Sequence, residues 1–188
     1  VGSTPTPRPM RADARRNYER IVEVAREVFR EHGPEAPLDD VARRACVGPG
    51  TLYRHFPNRE ELIAAVYRAD LEALADQAYD LAERLEPGEA LTEWLRVQVG
   101  FALHKRGLAA KLKAAMDRDA EGFALCKTKL NEAAATLVKA AQDAGAIRQD
   151  VRPRDLQLMA HGIGVATEAT PDAAERLLTV MLDGLRPQ

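Results

Sequence analysis

The stretch Leu38–Phe56, LDDVARRACVGPGTLYRHF, constrains this chain more than any other. Leu38, Val41, Ala42 and Ala45 recur at the i, i+3, i+4, i+7 spacing of a single helix face. Val47-Gly48-Pro49-Gly50 breaks that period, and Leu52 and Phe56 restart it at i and i+4. The pattern predicts two short helices joined by a tight turn. Neither is long enough to bury a core of its own, so a third helix must pack behind them. Gly48 suits the N-cap of the second helix and Pro49 its first position, where a missing N–H is no loss. Thr51, Tyr53, Arg54 and His55 are left for the outside of that helix. A bracing helix followed by one that presents polar and aromatic donors reads as a helix-turn-helix, whose second helix enters a DNA major groove.

The remaining periodicity is helical throughout. Residues 1–10 are proline-rich without an apolar period and predict a flexible arm. Arg8, with Arg11, Arg15 and Arg16 after it, is suited in a DNA-binding protein to backbone or minor-groove contact, and equally to a solvated tail. A first helix is expected from about Ala12 to His32, with Tyr18, Ile21, Val24, Ala25, Val28 and Phe29 on one face and Gly33-Pro34 as its stop. Asn58 and Glu61 form a capping-box-like start for a long fourth helix, about Arg59 to Leu85. The fifth, about Glu89 to Arg106, is apolar nearly all round and belongs inside a second domain. Further helices are expected at about 108–116, 120–144, 153–169 and 173–185. The fold class is therefore all-α, about nine helices. An arm (1–10) precedes a helix-turn-helix domain (11–58) and a second helical domain (59–188).

Composition narrows the function. With 46% hydrophobic and 30% charged residues the chain has the makings of a globular core. Net charge of −2 argues against a nonspecific nucleic-acid coat. The basic charge is unevenly placed, however. Residues 1–60 hold eleven Arg, no Lys and nine acids, a net of +2; the rest hold sixteen basic and twenty acidic residues, a net of −4. Arg is the residue suited to phosphate and base edges. No apolar run reaches the roughly 18 residues of a membrane span, and no signal peptide is visible, so a cytoplasmic protein is expected. Cys46 and Cys126 match no metal spacing, and no nucleophile, carboxylate pair or phosphate loop presents itself. The expectation is of no enzyme activity, no cofactor and no metal.

Residues 39–62, DDVARRACVGPGTLYRHFPNREEL, resemble the signature of the tetracycline-repressor (TetR) family of transcription regulators. The wider phrase resembles a branch common in high-GC actinobacteria. The resemblance implies a homodimer that sets two recognition helices in successive major grooves of a palindromic operator on double-stranded DNA. It also implies a small-molecule effector in the second domain that shifts the fourth helix and releases the DNA. By position, Tyr53 and His55 match residues that hold phosphates, Thr51 one that touches phosphate or base, and Arg59 the basic residue opening the fourth helix. Gly48, Pro49 and Gly50 match the positions that most often read bases; without donors there, direct readout leans on Tyr53, Arg54, Thr51 or the N-terminal arginines. Three departures stand out. Gly48 and Pro49 bring no side-chain donor. Asp39 replaces an Arg common in the family. Cys46 replaces a Gly that often adopts a left-handed conformation. DNA binding weighted to phosphate contacts and DNA shape is therefore expected.

In the second domain Trp94, Phe101, His104, Met116, Phe123, Cys126 and His161 are the candidates to line an effector cavity, which makes the effector largely apolar. Gly162 and Gly164 interrupt a helix that prefers Ala, which points to close approach by another helix. The resemblance implies dimerisation through the last two helices, so Pro153–Ala169 and Ala173–Leu185 are assigned to a four-helix dimer interface, with intrachain packing as the alternative. The rival function is a helical effector-binding or protein-interaction module without sequence-specific DNA binding.

Overall fold

The computed structural model describes residues 8–103 and 120–187. Among these residues all regular secondary structure is α-helix. The elements are α1 (Arg8–His32), α2 (Leu38–Arg44), α3 (Pro49–His55), α4 (Arg59–Arg84), α5 (Pro87–Leu103), α6 (Ala120–Asp143), α7 (Pro153–Ala166) and α8 (Pro171–Asp183). The helix expected at 108–116 and the break at Lys105-Arg106-Gly107 lie outside the described residues. α1 begins at Arg8 rather than Ala12, with Pro9 in its first turn, where no intrahelical N–H bond is forfeited. Gly33 and Gly145 close α1 and α6 with φ of +79° and +66°, the left-handed conformation that a Cβ disfavours. No helix among the described residues is long and apolar enough to cross a membrane.

The described residues form two compact units, 8–69, and 70–103 with 120–187. The first unit packs Ile21, Val22, Ala25 and Val28 of α1 against Leu38, Val41 and Ala42 of α2 and Leu52 of α3. Leu62, Ala65 and Val66 of α4 complete that core. It therefore runs past residue 58, where the sequence pattern placed the boundary. The reason is area: two seven-residue helices cannot cover α1 alone, and the first turns of α4 supply the missing face.

The second unit is built around α5. Leu91, Trp94, Leu95 and Val99 join Leu81 of α4, Leu137 of α6, Leu156 of α7 and Leu178 of α8 in one cluster. The nearly all-round apolar character of α5 has this cause. Gly164 of α7 is where the two helices meet most closely. A Cβ built there would stand 2.4 Å from the Cβ of Ala102 and 2.8 Å from the carbonyl oxygen of Val99. Gly164 thus serves packing within the chain, where the close approach that its lack of a side chain predicts is to α5. Gly162 differs, since a Cβ there would meet nothing within 4 Å.

Candidate nucleic-acid interface

The turn between α2 and α3 is tightly bonded. The Val47 N–H donates to the Ala42 carbonyl at 3.0 Å, and the Cys46 N–H donates to that of Arg43 at 3.1 Å. Cys46 takes φ of +52°. This is the left-handed conformation, and it costs a side-chain-bearing residue roughly 1–2 kcal/mol. Gly48 is the N-cap of α3 and Pro49 opens it, as their order in the sequence dictates. Leu52 (0% exposed) and Phe56 (2% exposed) pin the helix to the core, each burial contributing about 1.5–3 kcal/mol.

That anchoring fixes what faces outward. Gly48, Pro49, Gly50, Tyr53 and Arg54 are exposed, and Thr51 is half-buried. A Cβ at Gly48 or Gly50 would meet nothing within 4 Å, so the fold itself does not require glycine at either position. Tyr53 is 48% exposed, a large aromatic with its hydroxyl end available to a partner. His55 is half-buried. Its ring lies edge-on to Tyr18 of α1 at 6.2 Å and 6.2 Å from Phe56. The Arg68 guanidinium of α4 donates to the Tyr18 hydroxyl at 3.4 Å. Tyr18 thereby supports the C-terminal end of α3, a role its place in an apolar stripe did not reveal.

Arg59 is placed differently from the expectation. Its guanidinium Nη1 donates to the carbonyls of Pro34 and Ala36 at 2.7 and 2.6 Å. It ties the start of α4 to the α1–α2 loop, and those carbonyls compete with a phosphate for the charge. Asn58 caps α4: its Oδ1 accepts the Glu61 N–H at 2.9 Å, and its Nδ2 donates to Glu61 Oε1 at 3.2 Å. The Asp40 carboxylate accepts from Arg43 at 2.6 Å, and Arg44 donates to Glu31 at 2.7 Å. Acids of the bracing region thus occupy the arginines nearest them.

The effector candidates of the second unit lie in different surroundings. Trp94 is fully buried, and its indole N–H donates to the Leu74 carbonyl of α4 at 2.8 Å. Phe123 and Cys126 are buried on α6, and the Cys126 thiol donates to Glu72 Oε1 at 3.7 Å. Phe101 is half-buried. His161 is exposed, because the inward stripe of α7 is Leu156, Gln157, Ala160 and Gly164, and His161 lies about 100° round from Ala160. His104 and Met116 lie outside the described residues. A groove of about 540 Å³ runs between α7 and α8, lined by Met159, Ile163, Leu177, Val180 and Met181. At its rim the Arg148 guanidinium donates to both carboxylate oxygens of Asp150, which holds that carboxyl below its usual range.

Residues 21–66 match the family model of bacterial regulatory proteins of the tetR family. Residues 86–187 match that of the transcriptional regulator SbtR-like C-terminal domain. The chain belongs to the TetR family. Its TetR-type fold is shared with the TetR transcriptional regulator SCO0520 from Streptomyces coelicolor. The two are 39% identical, the match covers 91% of this chain and 99% of that one, and the TM-score is 0.77. A TetR regulator from Mycobacterium vanbaalenii is 32% identical over 95% of this chain and 99% of its own, with a TM-score of 0.70. Among curated relatives, the HTH-type transcriptional regulator UidR of Escherichia coli is 28% identical over 146 residues, 76% of this chain and 74% of UidR. The helix-turn-helix expectation and the all-α expectation are therefore met. The protein is a DNA-binding transcriptional regulator of the TetR family.

Proposed function

We propose that this TetR-family regulator is a repressor that binds a palindromic operator as a homodimer and leaves it when a small, largely apolar effector binds the second unit. The observation that carries the DNA-binding half is the exposed edge of α3. Tyr53, Arg54 and Thr51 offer donors for phosphates, with His55 at the end of the helix. Gly48, Pro49 and Gly50 offer backbone and a proline ring but no donor side chain. Such an edge holds the DNA backbone more firmly than it names bases. Pro49 is suited to contact with a thymine methyl.

The dimer half rests on α7 and α8. Leu158, Met159, Val165, Leu177 and Val180 are 43–69% exposed on these two helices, and Met159, Leu177 and Val180 line one groove between them. A face of this kind is a mark of an interaction site, and a second copy of the same pair supplies a matching surface about a two-fold axis. Gly162 lies on the outer side of α7 with open space over it, which suits close approach by the partner's helix. Effector release then follows from linkage: an effector that prefers the DNA-free conformation weakens DNA binding by the factor by which DNA weakens effector binding.

Fluorescence anisotropy on operator DNA over a salt series tests the DNA-binding half. A plot of log K against log salt is expected to fall with a slope steeper than about −5, as for six or more neutralised phosphates. A slope near zero would defeat the phosphate-weighted reading.

A further inference from the structure

We infer that Gln98 is the polar residue of the effector site, and that the effector presents a hydrogen-bond-accepting oxygen to its side-chain amide. This rests on the proposed effector-responsive function. Gln98 is 8% exposed, yet its Nε2 is buried without a hydrogen-bond partner. Buried side-chain donors nearly always have one, and an unmet donor in a core is destabilising. Gln157, buried to the same degree at 7% exposed, donates to the Leu130 carbonyl. Burial of a glutamine in this unit is thus compatible with a partner, and Gln98 is the exception.

Its position says what the donor faces. Gln98 stands one turn beyond Trp94 on α5, about 40° round the helix. Trp94 bonds the Leu74 carbonyl of α4, and Ala102, one turn beyond Gln98 on the same stripe, meets Gly164 of α7. Gln98 is the single amide in a buried, otherwise apolar stripe of α5 made by Leu91, Trp94, Leu95 and Ala102. Apolar walls with one placed polar group are what orient a small ligand. The ligand class is a compact apolar frame bearing a carbonyl, carboxylate or phenolic oxygen, rather than a plain hydrocarbon.

The test compares the wild type with Gln98→Met and Gln157→Met, all as full chains. In effector-free protein, Gln98→Met is expected to raise the melting temperature by about 2–4 °C, because an unmet donor is removed. Gln157→Met is expected to lower it. A fall for Gln98→Met would overturn the inference, since it would reveal a partner within the chain. Equilibrium dialysis then uses two probes of matched shape, acetophenone and ethylbenzene. The wild type is expected to bind acetophenone about tenfold more tightly, as one hydrogen bond allows, and Gln98→Met to lose that preference. Equal binding of the two probes by the wild type, retention of the preference in Gln98→Met, or no binding of either probe overturns the assignment. Operator binding is measured alongside. Its loss in the wild type would defeat the proposed function, whereas the dialysis outcome bears on Gln98 alone.

Discussion

At the scale of single residues, conformation and space rather than charge decide most of what is unusual here. Cys46 holds φ of +52° with its side chain exposed, so Cys46→Gly removes strain without opening a cavity. It is expected to stabilise the first unit by about 1 kcal/mol, read as a higher midpoint in thermal denaturation. Gly164→Ala is expected to act the other way. Its Cβ would sit inside the contact distance of Ala102 and Val99, and overpacking of this kind costs about 1–3 kcal/mol. Tyr53→Phe keeps the ring and removes the hydroxyl. It is expected to leave the melting temperature unchanged and to weaken DNA binding about equally for every sequence, as a phosphate contact does. Of these three residues, Cys46 and Tyr53 were legible in the sequence, because each stands in a motif whose neighbours fix its backbone. Gly164 was legible only as an oddity in a helix. Which helix approaches it depends on packing between segments sixty residues apart, and local spacing carries no record of that.

At the scale of elements, the helix boundaries follow from punctuation. Pro49, Pro153 and Pro171 each open a helix where a proline follows the N-cap, and Gly33 and Gly145 close two others. What spacing does not show is how the elements are braced. Arg59 reads as a basic residue at a helix start, hence as a phosphate ligand. In the folded chain it clamps the α1–α2 loop through two carbonyls. Arg59→Ala is expected to destabilise the protein by about 1.5–3 kcal/mol, the range for hydrogen bonds from a charged donor. Urea denaturation measures it. Tyr18 and His55 give the same lesson: their ring contact joins α1 to the end of α3 across 37 residues of sequence. The α7 and α8 faces were foreseen as an interface by resemblance. Their exposed Leu158, Val165 and Val180 supply the physical support for that proposal.

At the scale of the whole molecule, the proposal requires two copies. Light scattering is expected to give a dimer at micromolar concentration, and Val180→Glu to give a folded monomer, since Val180 is 69% exposed and supports little within its own chain. A monomeric wild type would remove the two-fold axis from which a palindromic operator follows. The proposal makes the two parts of this edge unequal: Tyr53 and Arg54 are exposed donors, whereas Gly48, Pro49 and Gly50 present no donor side chain. The most direct measurement is therefore selection of bound sequences from random duplex DNA at two salt concentrations. A palindromic motif is expected, its half-sites about one helical turn apart, with enrichment that falls steeply at the higher salt. Enrichment of no motif at either salt concentration would contradict a sequence-specific operator and favour a helical effector-binding module.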